Sequence, residues 1–146
     1  MTPRELVEYM RRHKYAVQAS ATPSGDPQAA VIGIAVTEDG GLVFDTLDAT
    51  RKCQNLRRHP HVALVIGTDG PATVQLEGTV DEPHGAELDR LKQVYFETFP
   101  DGREREAWPG ITYFRVRPTW VRHSDFSGPS PDIQHFTAAD LAAAEP

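Results

Sequence analysis

Short β-rich apolar runs follow one another in this chain with tight-turn residues, not helices, between most of them. Gln28 to Thr37 carries Val31, Ile32, Ile34 and Val36, and Glu38-Asp39-Gly40-Gly41 after it is a hairpin signal returning the chain through Leu42 to Thr46. His61 to Thr68 alternates Val62, Leu64 and Ile66. Asp69-Gly70-Pro71 turns it into Thr73 to Val80, which sets Val74, Leu76 and Val80 on one face. Tyr15 to Ser20 alternates in the same way and ends at the turn residues Pro23 to Pro27. Ile111 to Arg117 and Trp120 to Ser124 form a last strand interrupted by Pro118, which suits a bulge or an edge. A parallel sheet would need a helix between every pair of strands. Apart from an opening helix from Thr2 to about Arg12, only Ala49 to His59 and Gly85 to Phe99 have helical periodicity, with Phe99 to Gly110 a polar loop. The fold class is therefore α+β, mainly antiparallel, with about six strands in a small barrel and short helices at its rim.

A length of 146 residues suits one domain, 1–146, with a core of about 14–124 and a C-terminal tail of about 127–146 that is a docking helix or an extension. A net charge of −6 argues against a broad nucleic-acid surface while leaving room for a small basic pocket. The longest apolar stretch, Ala29 to Val36, is too short to cross a bilayer, and the N-terminus lacks a signal peptide's apolar core. The single cysteine, Cys53, excludes an internal disulfide and fits a reducing compartment, so the expected location is cytoplasmic.

Chemistry concentrates at Val43-Phe44-Asp45-Thr46-Leu47-Asp48-Ala49-Thr50-Arg51-Lys52. A strand delivers Thr46 to the rim, and a helix is expected to start near Asp48. The first amides of a helix are unpaired and partly positive, so an anion is favoured there. Thr50, Arg51 and Lys52 add a hydroxyl and two cations within one turn. The plainer reading is a helix capped by Asp48 with two solvated cations. Basic residues suit a helix's C-terminal end better, as Arg57 and Arg58 do, so Arg51 and Lys52 call for an anionic partner.

Thr46, Thr50-Arg51-Lys52 and the helix ending at Pro60 resemble, residue by residue, the FMN-binding split β-barrel family typified by pyridoxamine 5′-phosphate oxidase. Glu77-Gly78-Thr79-Val80 and Phe114-Arg115-Val116-Arg117-Pro118 look like the family's later strands, so the likeness covers about Lys14 to Ser124. It implies a six-stranded split barrel binding FMN, with Arg51 and Lys52 on the phosphate and Thr50 assisting. It also implies Thr46 near the ribityl chain or ring, and backbone groups of Ala30, Val31 and Ile32 facing the isoalloxazine. Asp45 stands where an aromatic is usual and would either hydrogen-bond a flavin or end its strand. A homodimer with the cofactor between subunits, and a flavin-dependent oxidoreductase acting on a small molecule, are implied as well. The deazaflavin F420 is the alternative cofactor, for a reductase of the same fold, its acidic tail met by Arg57, Arg58 or Arg103. The competing class is a non-catalytic flavin- or haem-binding protein, with His123 or His135 as candidate haem ligands.

The oxidase's arginine and lysine are replaced by Ala30 and Ala35, a further arginine by Phe99, and its C-terminal Arg-Leu-His-Asp-Arg segment has no counterpart. These cations serve the vitamin B6 phosphate, so the resemblance implies a flavin grip without that substrate. Trp120 and Phe126 lie near the position of the oxidase's flavin-adjacent tryptophan, which falls at about Ser124. No metal site is expected, since Pro60 holds His59 and His61 apart with no carboxylate cluster beside them. Cys53 reads as a small buried hydrophobe. His123-Ser124-Asp125 alternates faces along a strand and makes no triad.

Overall fold

Eight strands, two more than the apolar runs predict, form one antiparallel sheet in the computed structural model, which describes residues 1–144. They are β1 (Tyr15–Ala21), β2 (Pro27–Gly33), β3 (Ala35–Val36), β4 (Leu42–Leu47), β5 (His61–Ile66), β6 (Ala72–Asp81), β7 (Ile111–Asp125) and β8 (Asp132–Thr137). The order is β2-β1-β5-β6-β7-β4-β3, with β8 also on β7. One residue, Ile34, separates β2 at one end of this order from β3 at the other. The sheet must therefore curl until its ends meet, and β2 does approach β4 without pairing to it. That unpaired seam is the split in the barrel.

The two additional strands have separate origins. The run from Gln28 to Thr37 breaks at Ile34, whose amide donates to the Lys14 carbonyl at 2.9 Å, so one expected strand becomes β2 and β3. β8 buries only Phe136 and exposes its other apolar residue, Ile133, among polar neighbours, which hid it from the hydrophobic pattern. Pro118 sits at a bulge, as expected: Pro118 pairs with Gly78 and Trp120 with Glu77, leaving Thr119 as the extra residue. A Cβ at Gly78 would lie 2.6 Å from the Arg117 carbonyl oxygen, so the two chains approach there as only glycine permits.

Leu42, Phe44, Leu64, Ile66, Leu76, Phe114 and Val121 fill the barrel, with the Phe44 and Phe114 rings stacked at 5.5 Å. Each large apolar side chain removed from water stabilises by about 1.5–3 kcal/mol. Helix α1 (Pro3–Arg12), started by a Thr2–Glu5 capping box, buries Leu6, Val7 and Met10 against this core. Helix α3 (Gly85–Thr98) packs Leu91, Tyr95 and Phe96 on Val43 and Tyr113 to make a second apolar layer outside the barrel. The expected loop after it contains the short helix α4 (Gly102–Arg105). The tail docks through α5 (Ala138–Ala142), where Leu141 is buried. Glu145 and Pro146, the end of the expected tail, lie outside the described residues. No described helix is long and apolar enough to cross a membrane.

Candidate functional site

Strand β4 carries polar residues to two opposite faces at its end. Thr46 faces inward and is buried. After Leu47 the chain turns, and helix α2 (Arg51–Arg58) begins with Thr50 as its N-cap; the expected cap, Asp48, lies outside the helix. The Thr50 hydroxyl wins this role by position, since its oxygen accepts from the Cys53 amide at 3.3 Å while its hydrogen goes to the Leu47 carbonyl at 2.9 Å. A hydroxyl has one hydrogen, so in the 2.9 Å Thr46–Thr50 contact Thr46 is the donor. This leaves the amides of Arg51 and Lys52, the first two of the helix, with no intrahelical acceptor.

Those amides border a cleft of about 340 Å³ beside the barrel's seam. Ala49, Thr50, Arg51 and Lys52 form one wall, and Gln28, Ala29 and Ala30 of β2 the other, with Gln18 and Ser20 of β1 beneath. Arg51 is exposed and Lys52 half-buried. Among the described residues neither has a carboxylate within salt-bridge distance, whereas Arg57, Arg90, Arg105, Arg115 and Arg117 all do. Two cations and two unpaired amides in one concavity suit a phosphate. A larger groove of about 670 Å³ lies elsewhere, between Arg11 and Arg90, but Glu38, Asp39 and Glu97 line it and disfavour an anion.

The cleft gathers Ala30, Thr50, Arg51 and Lys52 from the residues singled out in the sequence, with Thr46 one hydrogen bond behind. The Ile32 side chain belongs to the barrel core, and Val31 points outward, 69% exposed, so only their backbone could meet a ligand at the seam. Asp45 is not brought to the cleft and does not end its strand. Its carboxylate turns to the α3 side, accepting from Tyr95 Oη at 2.9 Å and Arg105 Nε at 3.0 Å. Burial, reinforced by the Asp45 charge, raises the Tyr95 phenol well above its usual range and pushes Tyr113 up to about 12. Burial pulls the Arg105 guanidinium down, but Asp45 and Asp101 more than offset this.

The other candidates sort by the same contacts. Arg57 is held by Glu82 through two hydrogen bonds, at 3.1 and 2.8 Å, and the Arg103 guanidinium lies over the Phe96 ring, so neither forms a groove with the cleft. His123 is buried edge-on against Tyr9, and His135 is exposed beside Trp120; neither lines the cleft. Cys53 is fully buried, and burial raises its thiol pKa, away from a nucleophile's range.

Sequence reasoning missed the polar floor. Asn55 lies on the buried face of α2 and donates to Ser20 Oγ at 3.1 Å and Gln28 Oε1 at 2.9 Å. Gln18 is 1% exposed, and neither its amide nitrogen nor its carbonyl oxygen has a partner among the described residues. The signal was available: Gln18 and Ser20 occupy the inward positions of a strand that starts with an inward Ala16.

Comparison with known proteins places the fold and the family. A pyridoxine/pyridoxamine 5′-phosphate oxidase of Rubrobacter xylanophilus is 33% identical over 93 residues, which is 63% of this chain and 41% of that protein. The chain thus spans about two fifths of the length of this curated relative. A haem-binding protein from Mycobacterium smegmatis superimposes with a TM-score of 0.85 at 21% identity, covering 99% of this chain and 62% of the other. A pyridoxamine 5′-phosphate oxidase-related, FMN-binding protein from Nostoc punctiforme does so at 0.68 and 14% identity, covering 92% and 84%. At such identities the two structures establish a shared fold. The pyridoxamine 5′-phosphate oxidase family profile matches residues 2–125, and with most of its length so matched the chain belongs to that family.

Proposed function

We propose that this protein is a flavin-binding oxidoreductase that holds FMN in the seam cleft and acts on a small molecule. The observation that carries the reading is the pair Arg51 and Lys52, cationic and, among the described residues, without carboxylate partners at the start of α2. Arg51 can grip a phosphate through two parallel hydrogen bonds while Lys52 adds a point charge, and the two free amides complete the cradle. Thr50 keeps the helix start fixed, and Thr46 holds Thr50. The unpaired Gln18 amide beneath the cations is a further sign that a polar ligand belongs there. When bound, the flavin ring supplies the redox chemistry, and the protein's part is grip, orientation and exclusion of water. The family's vitamin B6 activity is not part of the proposal, because Ala30, Ala35 and Phe99 offer no second phosphate grip.

The active form is a homodimer in this reading, with the flavin between subunits. Two rows of small apolar residues support it: Val31, Val17 and Val65 lie side by side across β2, β1 and β5, and Ala29, Ala19 and Ala63 beside them. All six point away from the barrel core, and Val31 and Tyr15 nearby are mostly exposed, a surface that a second copy would cover. Cytoplasmic location belongs to the same reading, supported by the single buried thiol.

The test is the absorption spectrum of the purified protein, followed by titration of the colourless form with FMN. A two-banded flavin spectrum, or quenching of FMN fluorescence on binding, supports the proposal. A single deazaflavin band would replace FMN by F420 in the same grip, and a Soret band would replace it by haem. Failure to bind any of the three sinks the proposal.

A further inference from the structure

We infer that Gln18 is a specificity-determining residue that reads the hydroxylated chain joining the flavin's phosphate to its ring. This rests on the flavin reading and adds Gln18, which the resemblance does not name, to the part of the site where it places Thr46. Gln18 stands on the inner face of β1 under the cleft, with Ala30 and Leu64 as its cross-strand neighbours. Neither can hydrogen-bond a carboxamide through its side chain. The polar groups nearby are already engaged with one another, since Asn55 serves both Ser20 and Gln28. A buried amide with both ends unpaired destabilises the empty protein.

The chemistry of the amide identifies the part of the ligand. Gln18 offers one donor group and one acceptor. A phosphate dianion only accepts, so it would satisfy Nε2 and face Oε1 with like partial charge. A hydroxyl both donates and accepts, and two neighbouring hydroxyls answer both ends of the amide. The cations on the α2 wall above Gln18 take the phosphate, so the group beside Gln18 is the polyol carbon chain next to it. The protein thus distinguishes a flavin nucleotide from a free phosphate or a phosphorylated apolar molecule at this residue.

The experiment compares wild type with Gln18→Leu, using FMN, a flavin carrying a plain pentyl phosphate in place of ribityl phosphate, and inorganic phosphate as competitor. Wild type is expected to bind FMN about tenfold more tightly than the pentyl analogue, the loss of one well-made buried hydrogen-bond set. Gln18→Leu should bind both flavins alike, at the weaker value, with phosphate competition unchanged. Its empty form should melt no lower than wild type, because an unpaired buried amide has been replaced by an apolar group of similar size. Equal binding of FMN by wild type and Gln18→Leu overturns the inference and leaves the flavin reading standing; so does wild type that fails to distinguish the two flavins, a result that needs no variant to fold. Wild type that binds neither flavin overturns both.

Discussion

Asp45 and Thr46 are neighbours on β4, yet they lead into polar regions built on opposite plans. On the Asp45 side every charge is answered: Arg105 donates to Asp45 and Asp101 at 3.0 and 2.8 Å, and Tyr95 closes the set. On the Thr46 side the hydroxyls are answered, but among the described residues the cations and the Gln18 amide are not. A network complete in itself holds α3 and α4 onto the sheet. One left incomplete has its partner elsewhere. The first is a structural clamp and the second, in the reading proposed above, a receptor, and strand alternation alone keeps them apart.

The comparison breaks most sharply if the cations are removed. Arg51→Ala with Lys52→Ala should weaken FMN binding about a hundredfold or more, since each charge-assisted hydrogen bond contributes about 1.5–3 kcal/mol. The same double variant should melt within about 2 °C of wild type, because cations at the surface with no carboxylate partner among the described residues contribute little to stability. Fluorescence titration and a thermal melt read the two quantities; unchanged FMN affinity in a folded protein would place the phosphate elsewhere. Asp45→Ala is the mirror image. It leaves the Tyr95 hydroxyl without an acceptor for its hydrogen, keeping only the 3.2 Å bond it accepts from Arg105 Nη2, and takes one of two carboxylates from Arg105, at a cost of about 2–3 kcal/mol in unfolding free energy. FMN affinity should stay within about threefold, and a large loss of binding by this variant would mean that the two sides of β4 are not separate.

How much of this was legible beforehand follows the same division. Alternation in the apolar runs marks the barrel strands, because each of those strands buries one face. β8 escapes since it buries only Phe136 against the barrel, and the break at Ile34 escapes because both halves of the run are apolar. The cations Arg51 and Lys52 were legible because they sit at the wrong end of a helix. The cap was misread by two residues, as Asp48 and Thr50 are both good capping residues and only the backbone path decides between them. Asp45 was misplaced for a different reason: its partners Tyr95 and Arg105 are distant in sequence, and no local pattern announces a pairing made by folding. Gln18 and Asn55 escaped because a lone polar residue on an apolar face is ordinarily satisfied in the core.

Thr50 belongs to both plans, so its substitution sharpens the comparison with a smaller effect on each measurement. Thr50→Ala removes the N-cap and the acceptor for Thr46, a loss of about 1 kcal/mol in stability. It also loosens the start of α2, so FMN binding should fall severalfold, well short of the double cation variant. Thr50→Ser keeps the hydroxyl and should restore both. If serine restores stability but not affinity, the methyl group positions the cradle and the hydroxyl does not.

The smallest effect expected is one of pH, and it belongs to the clamp side. Asp81 accepts from Arg115 at 3.0 and 2.7 Å and from Arg117 at 3.1 Å. The Arg115 hydrogen bonds, above all, hold its carboxyl below the usual aspartate value of about 3.8. A carboxylate whose pKa is lower folded than unfolded adds stability above the unfolded value, and this is lost as pH falls through the folded one. Asp81→Asn cannot ionise, so wild type should melt higher than the variant at pH 6, and the gap should narrow progressively as pH falls below about 4. Asp81 is partly exposed, so the gap is modest and should shrink further in high salt. A gap that persists unchanged at pH 3 would mean that Asp81 acts through neutral hydrogen bonds, and the clamp would then owe less to charge than its geometry indicates.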